Sequence, residues 1–248
     1  MTSAGSGRRR AELAENLTAL RARVATACEA AGRDVGEISV VAVTKTWPAS
    51  DVRLLAEFGV SDIGENRDQE AAPKAAECAD LALTWHFVGQ IQTNKCRSVV
   101  GYADVVQSVD RPRLARVLAK EARRAGRVVT CLVQVDLDDE GRADRGGAAP
   151  TGQRGGVRPD QAPQLARQVA AEDGLRLGGV MAVAPLGARP REAFRRLEEV
   201  AAEIRAMYPA AGVISAGMSG DLEEAIASGA THLRVGTALL GVRRVFVR

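Results

Sequence analysis

Lys45 closes a short β-branched run, Ile38–Thr44, and is the residue best placed to do covalent chemistry. It shares strand parity with Val41 and Val43, so all three lie on one face, and that face is apolar whether it turns inward or outward. An amine in apolar surroundings is pushed toward its neutral form, which frees the lone pair for attack on an aldehyde. The plainer alternative is a strand-end lysine that snorkels to solvent. Two later segments weigh on that choice. Ser215-Ala-Gly-Met-Ser-Gly-Asp221 is a glycine- and serine-rich turn that opens a helix from Ser219, and Arg234-Val-Gly-Thr237 adds bare backbone, a hydroxyl and a fixed cation. Backbone N–H groups at a helix start, with a serine hydroxyl, suit a phosphate. Ordinary tight turns would need no such ligand. Asp221, Glu223 and Glu224 favour the helix dipole but would repel a phosphate unless they point away. Each motif is weak alone; together they favour the reactive reading of Lys45.

The elements that must position these residues alternate along the chain. Leu13, Leu17, Leu20 and Val24 recur at helical spacing, which predicts an opening helix over 8–31 with Gly32 as its stop. Strands are expected at 38–45 and near 61–64, 84–89, 104–108, 128–136, 177–184, 213–217 and 231–236. Amphipathic helices are expected at 48–58, 66–79, 111–125, 159–172, 190–206 and 219–228, with a short one within 92–100. Parallel neighbours need a crossover between them, so this alternation argues for a parallel sheet. Eight such units in 248 residues predict one closed (β/α)8 barrel of the TIM type, preceded by an extra helix. An open doubly wound sheet is the alternative, and it lacks the expected GxGxxG after the first strand. In a barrel the functional groups stand at the carboxyl ends of the strands, where Lys45, Asn66, His86, Ser215, Met218, Ser219, Arg234, Gly236 and Thr237 all fall.

Composition excludes several classes. Hydrophobic residues make up 46% and charged residues 26%, the balance of a soluble domain. Aromatics are only 3%, so branched aliphatics must fill the core. A net charge of +3, from 34 basic and 31 acidic residues, gives no field for nucleic acid or membrane. No run of 18 apolar residues occurs, no leader-type apolar segment follows Met1–Arg10, and a cytoplasmic location is expected. Cys28, Cys78, Cys96 and Cys131 lie far apart with no CxxC pair, which predicts reduced, partly buried thiols. The two histidines, His86 and His232, lack companion ligands, so no metal site is expected. His232 reads as a hydrogen-bonded structural residue, and His86 as a candidate pocket residue. The chain is read as one domain over 1–248, with 1–9 disordered. Residues 138–158 carry six glycines, and their four acids balance four arginines, so a mobile solvated loop is expected there rather than an RNA contact.

Taken together, Val41-Ala-Val-Thr-Lys45, Gly64-Glu-Asn66, Trp85-His-Phe-Val-Gly-Gln-Ile-Gln-Thr-Asn-Lys95, Ser215-Ala-Gly-Met-Ser-Gly-Asp221 and Arg234-Val-Gly-Thr237 closely resemble the pyridoxal 5′-phosphate homeostasis family, also called the proline synthase co-transcribed family. The likeness runs from about residue 10 to the end, in the family's order and spacing. It departs from the family in its longer, arginine-rich segment at 138–158 and in Arg67, where an aromatic residue or lysine is common. The resemblance implies the barrel of the alanine racemase N-terminal type and pyridoxal 5′-phosphate as cofactor, held as a Schiff base on Lys45. It implies that Ser219, Gly236 and Thr237 contact the phosphate and that Arg234 meets the pyridine nitrogen. Asn66 and His86 would line the pocket, with Met218 and Ser215 as second choices.

The resemblance further implies a binding and buffering protein without a dedicated catalytic residue. Such a protein would keep the free aldehyde scarce and pass cofactor to apo-enzymes; a monomer is expected. Racemisation would need a proton donor opposite the lysine, which related racemases take from a second domain. Only twelve residues follow Gly236, too few for such a domain. Tyr102 and Tyr208, expected at the start of strand four and the end of the sixth helix, would lie at the wrong end of the barrel. Two other readings stay open: a slow racemase or transaminase, and a colourless barrel aldolase that uses a lysine on a sugar phosphate.

Overall fold

The structure, a computed structural model, describes residues 3–138, 155–185 and 189–242. The short β-branched runs form the strands: β1 (Ser39–Val43), β2 (Asp62–Glu65), β3 (Thr84–Phe87), β4 (Val105–Val109), β5 (Val129–Gln134), β6 (Leu175–Met181), β7 (Val213–Ser215) and β8 (His232–Val235). Neighbours pair in parallel in chain order, and β1 pairs with β8 as well as β2, so the sheet closes into a barrel. The helices lie between them: α1 (Ser3–Ala31) ahead of the first strand, then α2 (Ala49–Glu57), α3 (Asp68–Glu77), α4 (Cys96–Tyr102), α5 (Pro112–Arg124), α6 (Ala162–Ala170), α7 (Pro190–Met207), α8 (Leu222–Ala227) and the one-turn α9 (Thr237–Leu240).

Strand alternation sorts the side chains into two populations. Ala42, Ile63, Phe87, Val106, Cys131, Val133, Val180, Ile214, Leu233 and Val235 face outward and form one apolar layer with the helices. Val41 and Val43 face the axis: a Cβ placed on Gly64 would lie 3.0 Å from Val41 Cγ1 and 3.3 Å from Val43 Cγ2. The inner population also holds His86, Gln107, Ser215 and Arg234, all buried. The parity question for β1 is thereby resolved in favour of the barrel interior.

On α1, Leu13, Leu17, Leu20 and Val24 are buried as their spacing requires. Asn16 Nδ2 donates to Leu239 O at 3.0 Å, and Arg33 Nη1 donates to Ile226 O and Ala230 O at 2.9 and 2.6 Å. The extra helix, through Asn16, and the turn that follows it, through Arg33, therefore fasten the last two units and support the closing seam. Each such bond to a guanidinium is worth about 1.5–3 kcal/mol.

Several boundaries differ from expectation. The described part of α1 starts at Ser3 rather than residue 8. β6 begins two residues early, at Leu175, because a register shift against Cys131 and Leu132 at Gly178–Gly179 lets the strand continue through a bulge. The segment expected as a short helix within 92–100 is a 3₁₀ turn, Thr93–Lys95, running into α4. α8 starts at Leu222, three residues after the expected Ser219. Most of the 138–158 segment lies outside the described residues.

Candidate functional site

Lys45 follows β1 by two residues, and Ser219 and Arg234–Thr237 follow or end β7 and β8, so three adjacent strands at the closing seam carry the candidate residues. The registers Val41↔Arg234 and Ala42↔Val235 bring β1 and β8 to the same height. Lys45 itself is exposed and lies in a turn, Thr44–Trp47, closed by Trp47 N–H donating to Thr44 O at 3.0 Å. This corrects the expectation of an apolar setting: the strand ends at Val43, and the turn carries the amine beyond the packed interior. Thr46, next in the chain, has φ 67°, a left-handed position that turns give to Gly or Asn. For a β-branched residue this stores on the order of 1–2 kcal/mol. Its N–H donates to Glu70 Oε2 at 2.9 Å, which holds the turn in that conformation.

Beneath the turn sits an ion pair that sequence reasoning missed. Lys74 Nζ bonds Glu65 Oε1 and donates to Thr44 O at 2.8 Å, while Thr44 Oγ1 donates to Glu65 Oε1 at 2.6 Å. Glu65 and Thr44 are fully buried and Lys74 nearly so. Burial pushes the Glu65 carboxyl above the usual range, against the opposing pull of Lys74 and Thr44. The signal was present: Lys74 falls on the same helical stripe as Ala71, Ala75 and Cys78, all buried. A lysine on an apolar stripe needs an anion in the neighbouring strand.

Arg234 is 5% exposed. Its Nη1 donates to Ser215 Oγ and its Nη2 to Ala182 O, each at 2.7 Å. Burial lowers its pKa to about 10, so the guanidinium remains charged at neutral pH. Among the described residues its other three N–H groups have no protein partner. Asn66, just past β2, keeps a buried Oδ1 that likewise has no hydrogen-bond partner among the described residues.

The two glycine-rich turns are joined to each other. Ser219 Oγ accepts from Ala238 N–H at 3.1 Å, which links the turn after β7 to α9. Gly217 has φ 86°, and a Cβ there would meet Ala225 Cβ at 2.6 Å, so this bend admits only glycine. Two acids of the segment are already engaged, although Asp221 stays close enough to the mouth to favour the charged form of Arg234. Asp221 Oδ1 accepts from Met218 N–H at 2.6 Å, and Glu223 is paired with Arg23, whose Nη1 also donates to Ser219 O at 2.7 Å. Because α8 starts only at Leu222, anion binding here must rest on individual N–H and hydroxyl groups. Met218 and Thr237 are exposed, and Ser219 and Gly236 half-buried, at this mouth.

Two histidine expectations come out differently. His86 is 3% exposed, and both of its ring nitrogens are engaged, by Asp62 Oδ1 and Gln107 Nε2 at 2.9 Å each. It therefore sits behind the mouth, and Gln107 and Asp62 are further residues that sequence reasoning did not single out. His232 is the hydrogen-bonded structural residue expected, with Nδ1 2.9 Å from Thr231 Oγ1. Burial and the neighbouring His86 push its imidazole down to about 4, against the pull of Asp62. The unfolded value is about 6.5, so as pH falls from there toward 4 the unfolded chain binds the proton and the folded one does not. Stability is thus expected to drop by roughly 2–3 kcal/mol between about pH 7 and about pH 4.5 from this group alone. Urea unfolding of the wild type and His232→Gln at both pH values checks this; an equal drop in both proteins would refute it.

Tyr102 closes α4; its buried hydroxyl has no hydrogen-bond partner among the described residues, and burial, together with the nearby Asp68 and Glu65 carboxyls, raises its pKa. It thus lies on the outer side of the sheet rather than at the far end of the barrel. All four cysteines are free and buried.

Comparison with known proteins bears on this arrangement. The family model described as alanine racemase, N-terminal domain, matches residues 15–244. The chain is 43% identical to the pyridoxal phosphate homeostasis protein of Mycobacterium tuberculosis over 96% of this chain and 95% of that one. It is 40% identical to the protein of that name from Pseudomonas aeruginosa, over 93% and 96%. Among solved structures, PipY of Synechococcus elongatus with PLP bound superposes with a TM-score of 0.77 at 33% identity, covering 93% of this chain and 100% of that one.

Proposed function

This chain belongs to the alanine racemase N-terminal-domain family and, within it, to the pyridoxal phosphate homeostasis proteins, and on that footing we propose that it stores and releases pyridoxal 5′-phosphate through Lys45 without turning over a substrate. The observation that carries this reading is the meeting of an exposed amine, a charged guanidinium with spare donors and two linked glycine-rich turns on the adjacent strands β7, β8 and β1. The residues fit the cofactor. Among the described residues, Asn66 Oδ1 is a buried polar atom without a partner, and three N–H groups of Arg234 likewise have no acceptor.

When bound, pyridoxal 5′-phosphate supplies an aldehyde that condenses with a primary amine, with loss of water. Lys45 provides that amine. Ser219, Gly236 and Thr237 hold the phosphate, Met218 flanks them, and Asn66 closes the side toward β2. Arg234 faces the ring nitrogen, and His86 acts behind it through Gln107 and Ser215. A guanidinium that keeps its proton donates to the ring nitrogen and leaves it unprotonated. Arg234 thereby lowers the electron demand that amino-acid chemistry at the cofactor depends on. Neither Tyr102, in the helix layer, nor Tyr208, at the end of α7, supplies a proton donor at the mouth. An exposed Lys45 suits exchange of cofactor with acceptor apo-enzymes. Among the described residues no helix is long and apolar enough to cross a membrane.

The test is direct. Protein loaded with pyridoxal 5′-phosphate should be yellow, lose its colour on borohydride treatment, and produce no D-alanine from L-alanine. D-alanine formed in proportion to protein concentration would make the chain an enzyme. A protein that stays colourless with the cofactor would remove the covalent reading.

A further inference from the structure

Behind Arg234, hydrogen-bonded side chains run down the barrel interior. Arg234 Nη1 meets Ser215 Oγ at 2.7 Å, Ser215 Oγ meets Gln107 Oε1 at 2.7 Å, Gln107 Nε2 meets His86 Nδ1 at 2.9 Å, and His86 Nε2 meets Asp62 Oδ1 at 2.9 Å. The members come from β8, β7, β4, β3 and β2. All are buried except Asp62, whose side chain is 25% exposed, so the chain ends at solvent on the side of the barrel away from Lys45.

We propose that these contacts form a one-way donor chain, from a guanidinium to a carboxylate, that fixes Arg234 in a single orientation toward the mouth, with Ser215, Gln107, His86 and Asp62 as positioning residues. Its bearing on the cofactor rests on the reading that Arg234 faces the ring nitrogen.

The direction follows from donor chemistry. A guanidinium can only donate, so Ser215 Oγ accepts from Arg234 and must pass its own hydrogen to Gln107 Oε1. That places the Gln107 NH2 against His86 Nδ1, which must therefore carry a lone pair. The ring proton resides on Nε2 and is donated to Asp62. With Gln107 reversed, its NH2 would compete with Arg234 for Ser215, and its Oε1 would demand a proton on His86 Nδ1. A neutral ring would then turn a lone pair toward the Asp62 carboxylate, so the reversed chain requires an imidazolium. Hydrogen bonds from His86 and Ser61 hold the Asp62 carboxyl below its usual range despite the opposing effect of burial, so it is an anion throughout the neutral range. His232, the other titratable group near His86, lies 6.2 Å away between ring centroids and bonds to Thr231 instead.

The chain can be read in the full-length protein before and after loading with pyridoxal 5′-phosphate. Two-bond proton–nitrogen spectra of the histidine rings, assigned with His232→Asn, should show His86 protonated on Nε2 and bare on Nδ1. The isosteric Gln107→Glu, which puts a carboxylate against Nδ1, should shift that nitrogen to the protonated position. Gln107→Leu, which leaves Ala182 O on Nη2 but frees the Ser215 hydroxyl to turn, should shift and broaden the Nη1 resonances of Arg234 and weaken cofactor binding severalfold, the loss expected when a hydrogen bond to a charged group is loosened. A wild-type His86 protonated on Nδ1, or Arg234 resonances unchanged in Gln107→Leu, would overturn the proposal. If Arg234 loosens while affinity and colour stay fixed, the chain stands and Arg234 does not face the ring.

Discussion

Lys45→Ala is expected to give a folded, colourless protein that holds pyridoxal 5′-phosphate on the order of a hundredfold less tightly, a loss of about 3 kcal/mol. The fold should tolerate the change, because the Lys45 side chain is exposed and makes no hydrogen bond or ion pair among the described residues. Surface truncations of this kind shift stability by about 0.5 kcal/mol or less. What the variant loses is the covalent bond. What it keeps is the pair of linked turns at Ser219 and Thr237 and the Arg234 guanidinium, which together should retain weak, reversible binding. Titration followed by absorbance, with a thermal melt of the same sample, separates the two effects. Retained colour and affinity would mean that another amine is the anchor.

The second large effect is on stability. Lys74→Met strands Glu65, a fully buried carboxyl whose partners are Lys74 and Thr44. Breaking a buried pair from one side costs about 3–5 kcal/mol, because the remaining group must stay charged without compensation or take up a proton. For a chain of this size that corresponds to a fall of roughly 10 °C in melting temperature. The partner experiment is the double variant Glu65→Leu/Lys74→Met, which removes both charges and should recover most of the loss. Urea unfolding of the two proteins decides the matter: a single variant within about 1 kcal/mol of the wild type would contradict the clamp. The same substitution should weaken cofactor binding, since Lys74 also holds Thr44 O at the base of the Lys45 turn.

Much of this architecture was legible in the sequence. Each strand expectation met a strand, because runs such as Ile38–Thr44 are β-branched and bounded by helical patterns, and parallel crossovers leave few topologies. The same reading placed Lys45, Arg234 and the glycine-rich turns at carboxyl ends of strands. It could not see what tertiary contact decides. The parity of Lys45 with Val41 and Val43 was correct along the strand but did not show that the chain turns at Thr44, held by Glu70 from α3. Glu65 stands within the Gly64-Glu-Asn66 motif, yet its partner Lys74 belongs to a helix whose other face is polar. Gln107 stands in the run Val105–Val109, where a lone amide signals nothing until Ser215 and His86 arrive from β7 and β3. His86 was expected at the mouth because its strand ends there; the structure turns its ring into the interior.

The central claim, that Lys45 is the covalent anchor, can be tested on a chain with unusually few amines: its lysines are Lys45, Lys74, Lys95 and Lys120. Lys74 is committed to Glu65, Lys95 lies 3.9 Å from Asp68, and Lys120 is exposed on α5, away from the mouth. The most direct measurement is borohydride reduction of the cofactor-loaded protein followed by peptide mass mapping. A pyridoxyl-phosphate mass increment confined to the peptide that carries Lys45 is the expected result. The same increment on Lys74, Lys95 or Lys120, or on no peptide at all, would contradict it.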